Sequence, residues 1–343
     1  MMRQTFFRII GRLCVVAVTS TCLLFQPALV QIAAPAEVSF PGARVILLGT
    51  GGGPILRKGR SQPASLLVVD GAAYLIDAGD GVARQMTFAD VPGATLRAVF
   101  LTHLHLDHTA GLPSLIGFRW MDRLTDPKLP QLAIYGPPGT DRMIDAAADF
   151  LKIPAQLFRN TQAEAPPVSA IVTAHVVHPG LIYSDERVKV FAVRNTHYAE
   201  AAMPPTPYGR DASYSLRFDT KYGSVVFSGD TGPSDAVAAL AQGADILVCE
   251  INDVSGTVAT LRKLPNLPPE ALDRWVAHME HEHLSPDEVG KLASRAGVKK
   301  VVLSHFSTLG EVGFDMAPWT TAVRKHFKGA IEPGKDLDEF DLK

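Results

Sequence analysis

Cysteine is nearly absent from this chain, with three in 343 residues. Cys14 and Cys22 fall within the first 36 positions, so the remainder carries Cys249 alone and cannot close an internal disulfide. Stability must then come from a buried core or from bound metal. A long apolar run is missing too. The leading apolar stretch, LCVVAVTSTCLLF at 13–25, falls short of the roughly 20 residues a membrane-spanning helix needs, and Pro27 follows it. Basic, acid-free MMRQTFFRIIGR precedes it, and APA at 34–36 puts small residues at the −3 and −1 positions of a cleavage site. Residues 1–36 therefore read as a cleaved secretory signal peptide. This predicts an exported protein, periplasmic or secreted, with no stable membrane span. An uncleaved anchor is the competing reading, and the bulk of Thr21 argues against a lipid on Cys22. Excess positive charge is also absent. The net charge of −2 becomes −5 once residues 1–36 leave, because Arg3, Arg8 and Arg12 go with no acid. Such a surface does not attract a polyanion, which disfavours nucleic acid as a partner.

What is present from Ala43 onward is a series of short β-rich runs and glycine turns. Strands are predicted at 44–49, 65–69, 73–79, 98–103 and 131–136, then at 188–195, 214–220, 223–230, 244–250 and 299–305. Helices fit near 139–152, 233–242, 270–279 and 285–297, the last opened by SPDE. The Pro/Ala-rich TQAEAPPVSA at 161–170 reads as a surface loop. This mixed order, with hairpins, argues for a layered α/β domain and against a simple doubly wound sheet. One domain is expected over 43–330, followed by an acidic tail at 331–343 that should fray.

All 11 histidines lie after residue 102, and three crowd into THLHLDH as His103, His105 and His108, with Asp107 between. Alternate residues of an extended chain point the same way, so His103 and His105 can face one cation while Asp107 and His108 turn towards another. Imidazole with carboxylate suits zinc, and also iron or manganese. Four ligands cannot complete two sites. Three further candidates end apolar strands: His197 in FAVRNTHYAE, Asp230 in VVFSGDTGP and His305 in VVLSHFS. Strand ends are where active-site groups of α/β proteins gather.

The order HLHLDH, His197, SGDT and His305 resembles the metallo-β-lactamase superfamily. The chain is most similar to its ribonuclease Z-like branch, with LLGTGGGP (47–54), LIDAGDGVARQM (75–86), IYGPPGT (134–140), ADILVCE (244–250) and EHLSPDEVGKLASRAGVKKVVLSHFS (282–307) adding to the likeness. The resemblance implies a four-layer αββα sandwich with two divalent cations at one edge. It implies that His103, His105 and His197 hold one cation, that Asp107, His108 and His305 hold the other, and that Asp230 bridges. Asp77 matches the aspartate that supports the metal loop by hydrogen bonding. Two cations about 3.5–4 Å apart can share a hydroxide, lower the pKa of water towards about 7 and clamp oxygens at phosphorus.

In that branch a glutamate after the AD strand pairs with a histidine upstream of the last ligand, and that histidine assists phosphodiester cleavage. Glu250 and His283 occupy those places, so Asp107, His283 and Glu250 are the candidate catalytic residues. The other reading of His278, His281 and His283 is a solvated polar patch, and His175, His178 and His326 read as surface residues. The chain departs from ribonuclease Z proper in its leader, its acidic mature form and the lack of a Lys/Gly-rich arm in 155–187. The expectation is therefore an exported two-metal hydrolase of small phosphodiesters or sulfate esters, able to dimerise. Lactone, thioester or β-lactam hydrolysis on the same fold is the alternative, and a non-catalytic metal-binding protein is a third reading. The segment 199–215 is expected either to cover the site mouth, with Tyr208 and Arg210 as substrate contacts, or to be an ordinary structural loop.

Overall fold

The computed structural model of the chain describes residues 41–158, 165–199, 205–308 and 315–342. The expected signal peptide lies outside the described residues. The first strands form where the sequence is continuously apolar. Strand β1 (Ala43–Gly49) pairs antiparallel with β2 (Ala64–Val69), and β2 turns into β3 (Ala72–Ile76) through Asp70 and Gly71, at φ 47° and 80°. Two positive φ values in a two-residue turn match the twist of the flanking strands, which is why Asp-Gly sits there. Helix α1 (Val82–Phe88) leads to β4 (Leu96–Phe100), then α2 (Leu106–Thr109) and α3 (Leu112–Thr125) to β5 (Leu132–Gly136), and α4 (Thr140–Leu157) to β6 (Val172–Val176).

The second half builds a matching sheet. Strands β7 (Gly180–Ser184), β8 (Val188–Arg194), β9 (Tyr214–Thr220) and β10 (Gly223–Phe227) pair antiparallel. After α5 (Asp235–Leu240) comes β11 (Ile246–Asn252), then a helical pair, α6 (Val254–Leu261) and α7 (Pro269–His281). Helix α8 (Pro286–Ala296) follows, capped by the Ser285 side chain accepting from the Glu288 amide, and then β12 (Lys300–Ser307), α9 (Ala317–His326), β13 (Ala330–Pro333) and β14 (Glu339–Leu342). One sheet runs β14-β1-β2-β3-β4-β5-β6 and the other β13-β12-β11-β10-β9-β8-β7.

Period-two alternation sorts each strand between layers. Ile46, Leu48, Leu66 and Val68 face α1, α3 and α4, while Val45, Leu47, Leu67 and Val69 face the other sheet. In β11, Leu247, Cys249 and Ile251 pack under α5, α8 and α9, and Ile246 and Val248 fill the space between sheets. Three apolar layers between four structural layers are the αββα sandwich. Among the described residues no helix is long and apolar enough to cross a membrane.

The structure corrects three expectations. The 331–343 segment is not a frayed tail: β14 pairs with β1, and the Asp336 carboxylate accepts from the Thr50 amide and hydroxyl and the Ser61 amide at 3.0, 2.7 and 2.6 Å. The strands do not resume only at 188: the stretch between α4 and β8 already holds β6 and β7, the edge strands of the two sheets. Of the 161–170 loop, residues 161–164 lie outside the described set, while Val168 is buried and Pro166 accepts a hydrogen bond from the Trp120 indole.

Candidate metal centre and active site

His103 emerges buried from the end of β4, and His105 follows in extended conformation before α2 begins. The chain then coils at once. Asp107 and His108 sit on the single turn of α2, so an extended segment followed by a helical turn points four donors into one place. His197 comes from the turn after β8 and Asp230 from the turn after β10. His305 lies inside β12 at a bulge. Glu250 pairs with Ser304 and Ile251 with Phe306, which leaves His305 as the extra residue, at φ 48°. A bulge re-aims one side chain and here accepts left-handed strain to do so.

Two donor groups result. Ligand atoms of His103, His105, His197 and Asp230 lie within 4.8 Å of one another, as do those of Asp107, His108 and His305. Asp230 reaches both groups. Its Oδ1 is 3.3 Å from His108 Nε2, and its Oδ2 is 3.2 Å from His305 Nε2 and 3.9 Å from His103 Nε2. The Nε2 atoms of His103, His108 and His305 and Asp230 Oδ1 are buried without a hydrogen-bond partner. Orphaned buried donors converging on one point carry a large desolvation cost, and a divalent cation relieves it. The residues therefore fit the metal ions that the pattern implies.

Supporting groups fix the ring orientations. Asp77, itself at φ 60°, lies 2.8 Å from His108 Nδ1 and accepts from the Thr102 amide at 2.8 Å. The Thr102 hydroxyl is 3.1 Å from His103 Nδ1, and the Glu282 carbonyl is 3.0 Å from His197 Nδ1. With Nδ1 engaged, Nε2 of His103 and His108 is left for a cation, while His197 Nε2 lies 3.1 Å from His105 Nδ1 in the same donor group. The Gly53 amide donates to Asp107 Oδ2 at 2.8 Å, and a Cβ on Gly53 would come within 2.3 Å of that carboxylate. Glycine is required for this approach.

Burial pulls the His103 and His197 imidazoles well below their usual range and lowers His105 as well, which favours the neutral form that ligation uses, whereas at His108 and His305 the charge of Asp230 and its neighbouring carboxylates outweighs burial and shifts the rings upward. Burial works to raise the Asp230 carboxyl, but the charges of His305 and His108 outweigh it and hold Asp230 well below the carboxylate range.

Beside the donors lies a second buried constellation. Glu250 Oε2 is 2.8 Å from His283 Nδ1, while its Oε1 accepts from the Thr231 amide. Burial, reinforced by Asp230, pushes Glu250 well above its usual value, and burial pushes His283 down. Burial thus penalises charge on both partners. His283 opens onto a cavity of about 550 Å³ lined also by Gly53, Pro54, Asp107, Asp230 and His305.

The Beta-lactamase superfamily domain matches residues 72–306. The chain belongs to the metallo-β-lactamase superfamily. Within it, the chain falls in the ribonuclease Z-like branch: it is 33% identical over 300 residues to a Ribonuclease Z of Mycobacterium sp. (strain KMS), covering 87% of this chain and 95% of that one. A Ribonuclease Z of Mycolicibacterium paratuberculosis is 30% identical over 87% and 98% of the two chains. Among solved structures, human tRNase Z, short form, superposes with a TM-score of 0.59 at 20% identity, over 88% of this chain and all but 1% of the other. Zn(2+)-bound PqqB from Methylobacterium extorquens does so with 0.60 at 15% identity, over 87% and 100%. The chain is thus a metal-dependent hydrolase of the metallo-β-lactamase fold.

Several residues of this metallo-β-lactamase-fold site were not singled out by the sequence. Arg274, Trp275 and Ala271 of α7 line the cavity, and so does His278, whose Nε2 is 3.3 Å from His283 Nε2 and whose Nδ1 meets Glu282. The solvated-patch reading holds for His281, which is exposed, and not for buried His283 or half-buried His278. Their signal was the 271, 274, 275, 278 spacing on one helix face, which reads equally as an ordinary amphipathic helix. His175, His178 and His326 are exposed. In the 199–215 segment, residues 200–204 lie outside the described set. Tyr208 packs over Gly139 beside Leu104, and neither it nor Arg210 lines the cavity.

Proposed function

We propose that this chain is an exported, two-cation hydrolase of small phosphodiesters, with sulfate esters as the tetrahedral relatives the same site would serve. The observation that carries the reading is the buried 2.8 Å pair of Glu250 and His283, opening on the same cavity as the donor groups. Acyl transfer has no evident need for that pair, whereas a poor alkoxide leaving group needs a proton. His103, His105 and His197 would hold one cation, Asp107, His108 and His305 the other, and Asp230 would contact both. Zinc is the expected metal, with manganese and iron as alternatives. Bound there, the cations would supply Lewis-acid charge and an activated water.

The chain's own residues do the rest. Asp77 and Thr102 hold the His108 and His103 rings with Nε2 inward. Gly53 orients the Asp107 carboxylate through its amide. Glu250 keeps a proton on His283 Nδ1 and stabilises the ring when Nε2 is also protonated. His283 then passes its Nε2 proton to the departing oxygen. The relatives' names speak of RNA. The mature charge of −5, the missing basic arm and a cavity of about 550 Å³ favour a small ester.

The test is a substrate panel on the metal-reconstituted mature protein. It sets a phosphodiester against a phosphomonoester, a sulfate ester, a lactone, a β-lactam and a precursor tRNA. Phosphodiester or sulfate-ester turnover should dominate, and faster opening of the lactone or β-lactam, or faster tRNA cleavage, would overturn the substrate class. Export is tested by N-terminal sequencing of the protein recovered from the periplasm or medium, which should begin at Glu37.

A further inference from the structure

Helix α7 has two faces with different duties. Leu272, Val276 and Met279 pack with Val258 and Leu261 of α6 in a small apolar cluster separate from the three main layers. The other face presents Ala271, Arg274, Trp275 and His278 to the cavity at i, i+3, i+4 and i+7. Met279 is the one buried residue of the helix, so α7 is held on α6 and not sunk into the body of the fold. Its cavity face is loaded in an unusual way for a solvated helix. Trp275 is 45% exposed, with the His278 ring edge-on at 5.9 Å, and the same cavity is lined by Pro54 and by Leu106, the latter 74% exposed. An exposed aromatic ring sharing one cavity with two apolar side chains offers a flat group a surface to stack on. Arg274 is the one lysine or arginine lining the cavity, and it forms no hydrogen bond or ion pair among the described residues.

The donor groups and His283 need only the phosphorus centre and the departing oxygen. The α7 wall is therefore available to the other half of the diester. We infer that Trp275 and Arg274 are the specificity-determining residues of this site, clamping a non-departing half that carries a planar ring with an anionic substituent. This rests on the phosphodiesterase reading above and names its substrate class: small diesters of an aromatic or heteroaromatic acid-bearing alcohol. In the reaction, water adds its oxygen to phosphorus and releases a proton to solvent while the bond to the departing oxygen breaks. That oxygen leaves with the proton from His283, which solvent then restores, and the ring-bearing half remains as a monoester against α7.

Three diesters that share p-nitrophenolate as leaving group, with methyl, phenyl or 4-carboxyphenyl on the other side, separate the two contacts. The metal-loaded mature protein should show KM falling in that order. Trp275→Ala should collapse the phenyl-to-methyl KM ratio by about tenfold, the order of one aromatic stacking contact, and Trp275→Phe should restore much of it. Arg274→Ala should collapse the carboxyphenyl-to-phenyl ratio, and Arg274→Lys should restore part of it. Calorimetric binding of phenylphosphonate, 4-carboxyphenylphosphonate and methylphosphonate gives a readout without turnover and should show the same order. Ratios that stay constant while all three substrates weaken together would assign α7 a merely structural role and overturn the inference. Equal binding of the three phosphonates to the wild type would overturn it too. Ordered phosphonate binding with no diester turnover would uphold the clamp and sink the hydrolytic reading instead.

Discussion

Asp77 Oδ2 lies 2.8 Å from His108 Nδ1, and the other oxygen of Asp77 accepts the Thr102 amide at 2.8 Å. One carboxylate thus ties the α2 turn to the end of β4, setting the angle between the two halves of THLHLDH. Replacing it tests how far the donors depend on their supports. Asp77→Asn, which tolerates the left-handed backbone at φ 60°, should keep the fold but weaken metal retention by roughly 10–100-fold. Competition with a chromogenic chelator measures this. Retention equal to the wild type would show that Thr102 and Gly53 suffice.

His283→Ala and Glu250→Gln should lower kcat for a diester with a poor leaving group by about 10²–10⁴-fold while metal content stays intact. A diester with a good leaving group, such as p-nitrophenolate, should lose much less, because it departs without a proton. The ratio of the two losses, measured with metal content by emission spectroscopy, separates proton donation from damage to the centre.

Chelation should destabilise the protein. Without cations the centre is a buried cluster of orphaned imidazoles around Asp230, and a ligand at 100 times its dissociation constant adds about 2.7 kcal/mol. Thermal unfolding with and without EDTA should show a lower midpoint for the stripped protein, restored by zinc. An unchanged midpoint would mean that the donors bind nothing tightly.

Asp336 should rank among the costly surface-side substitutions. Asp336→Ala strips partners from the Thr50 amide and hydroxyl and from the Ser61 amide, leaving buried Thr50 short of acceptors. A loss of about 3 kcal/mol is expected in denaturant unfolding. Truncation after residue 330 should be worse still, since β14 then leaves β1 as an unpaired edge.

The pH profile of stability has a contributor far from the metal centre. Burial tends to raise the Asp185 carboxyl, but the Tyr74 hydroxyl at 2.6 Å, the Arg187 and Val188 amides at 2.8 and 2.9 Å and the Tyr183 hydroxyl at 2.8 Å hold it below its usual range. A depressed folded-state pKa contributes stability that is present above the unfolded value near 3.9 and is lost as pH falls through the folded value. Asp185→Asn should therefore cost about 1–2 kcal/mol at neutral pH. The gap to the wild type should close below about pH 4.

How much was legible follows from what each residue has to do. The donors stood out because ligation demands particular residue types at particular spacings, and His103, His105, Asp107 and His108 satisfy that within six positions. The central strands stood out because burial on both faces leaves unbroken apolar runs. Strand β14 did not, because an edge strand can be polar and acidic, with Phe340 and Leu342 its only apolar residues. Trp275 and Arg274 did not, because an amphipathic spacing is silent about what the helix faces.

By itself the sequence determined the donor chemistry of THLHLDH and the layered α/β class, which depend on residue type, spacing and periodicity, local properties of the chain; the Glu250 and His283 pair came only through the family resemblance. Only the tertiary structure decided that a bulge aims His305, that the Asp230 carboxylate lies within 3.9 Å of rings in both donor groups, as the resemblance implied, and that α7 lines the cavity with an aromatic ring and a guanidinium unpaired among the described residues. These are relations between segments far apart in sequence, settled by how two sheets and their helices pack.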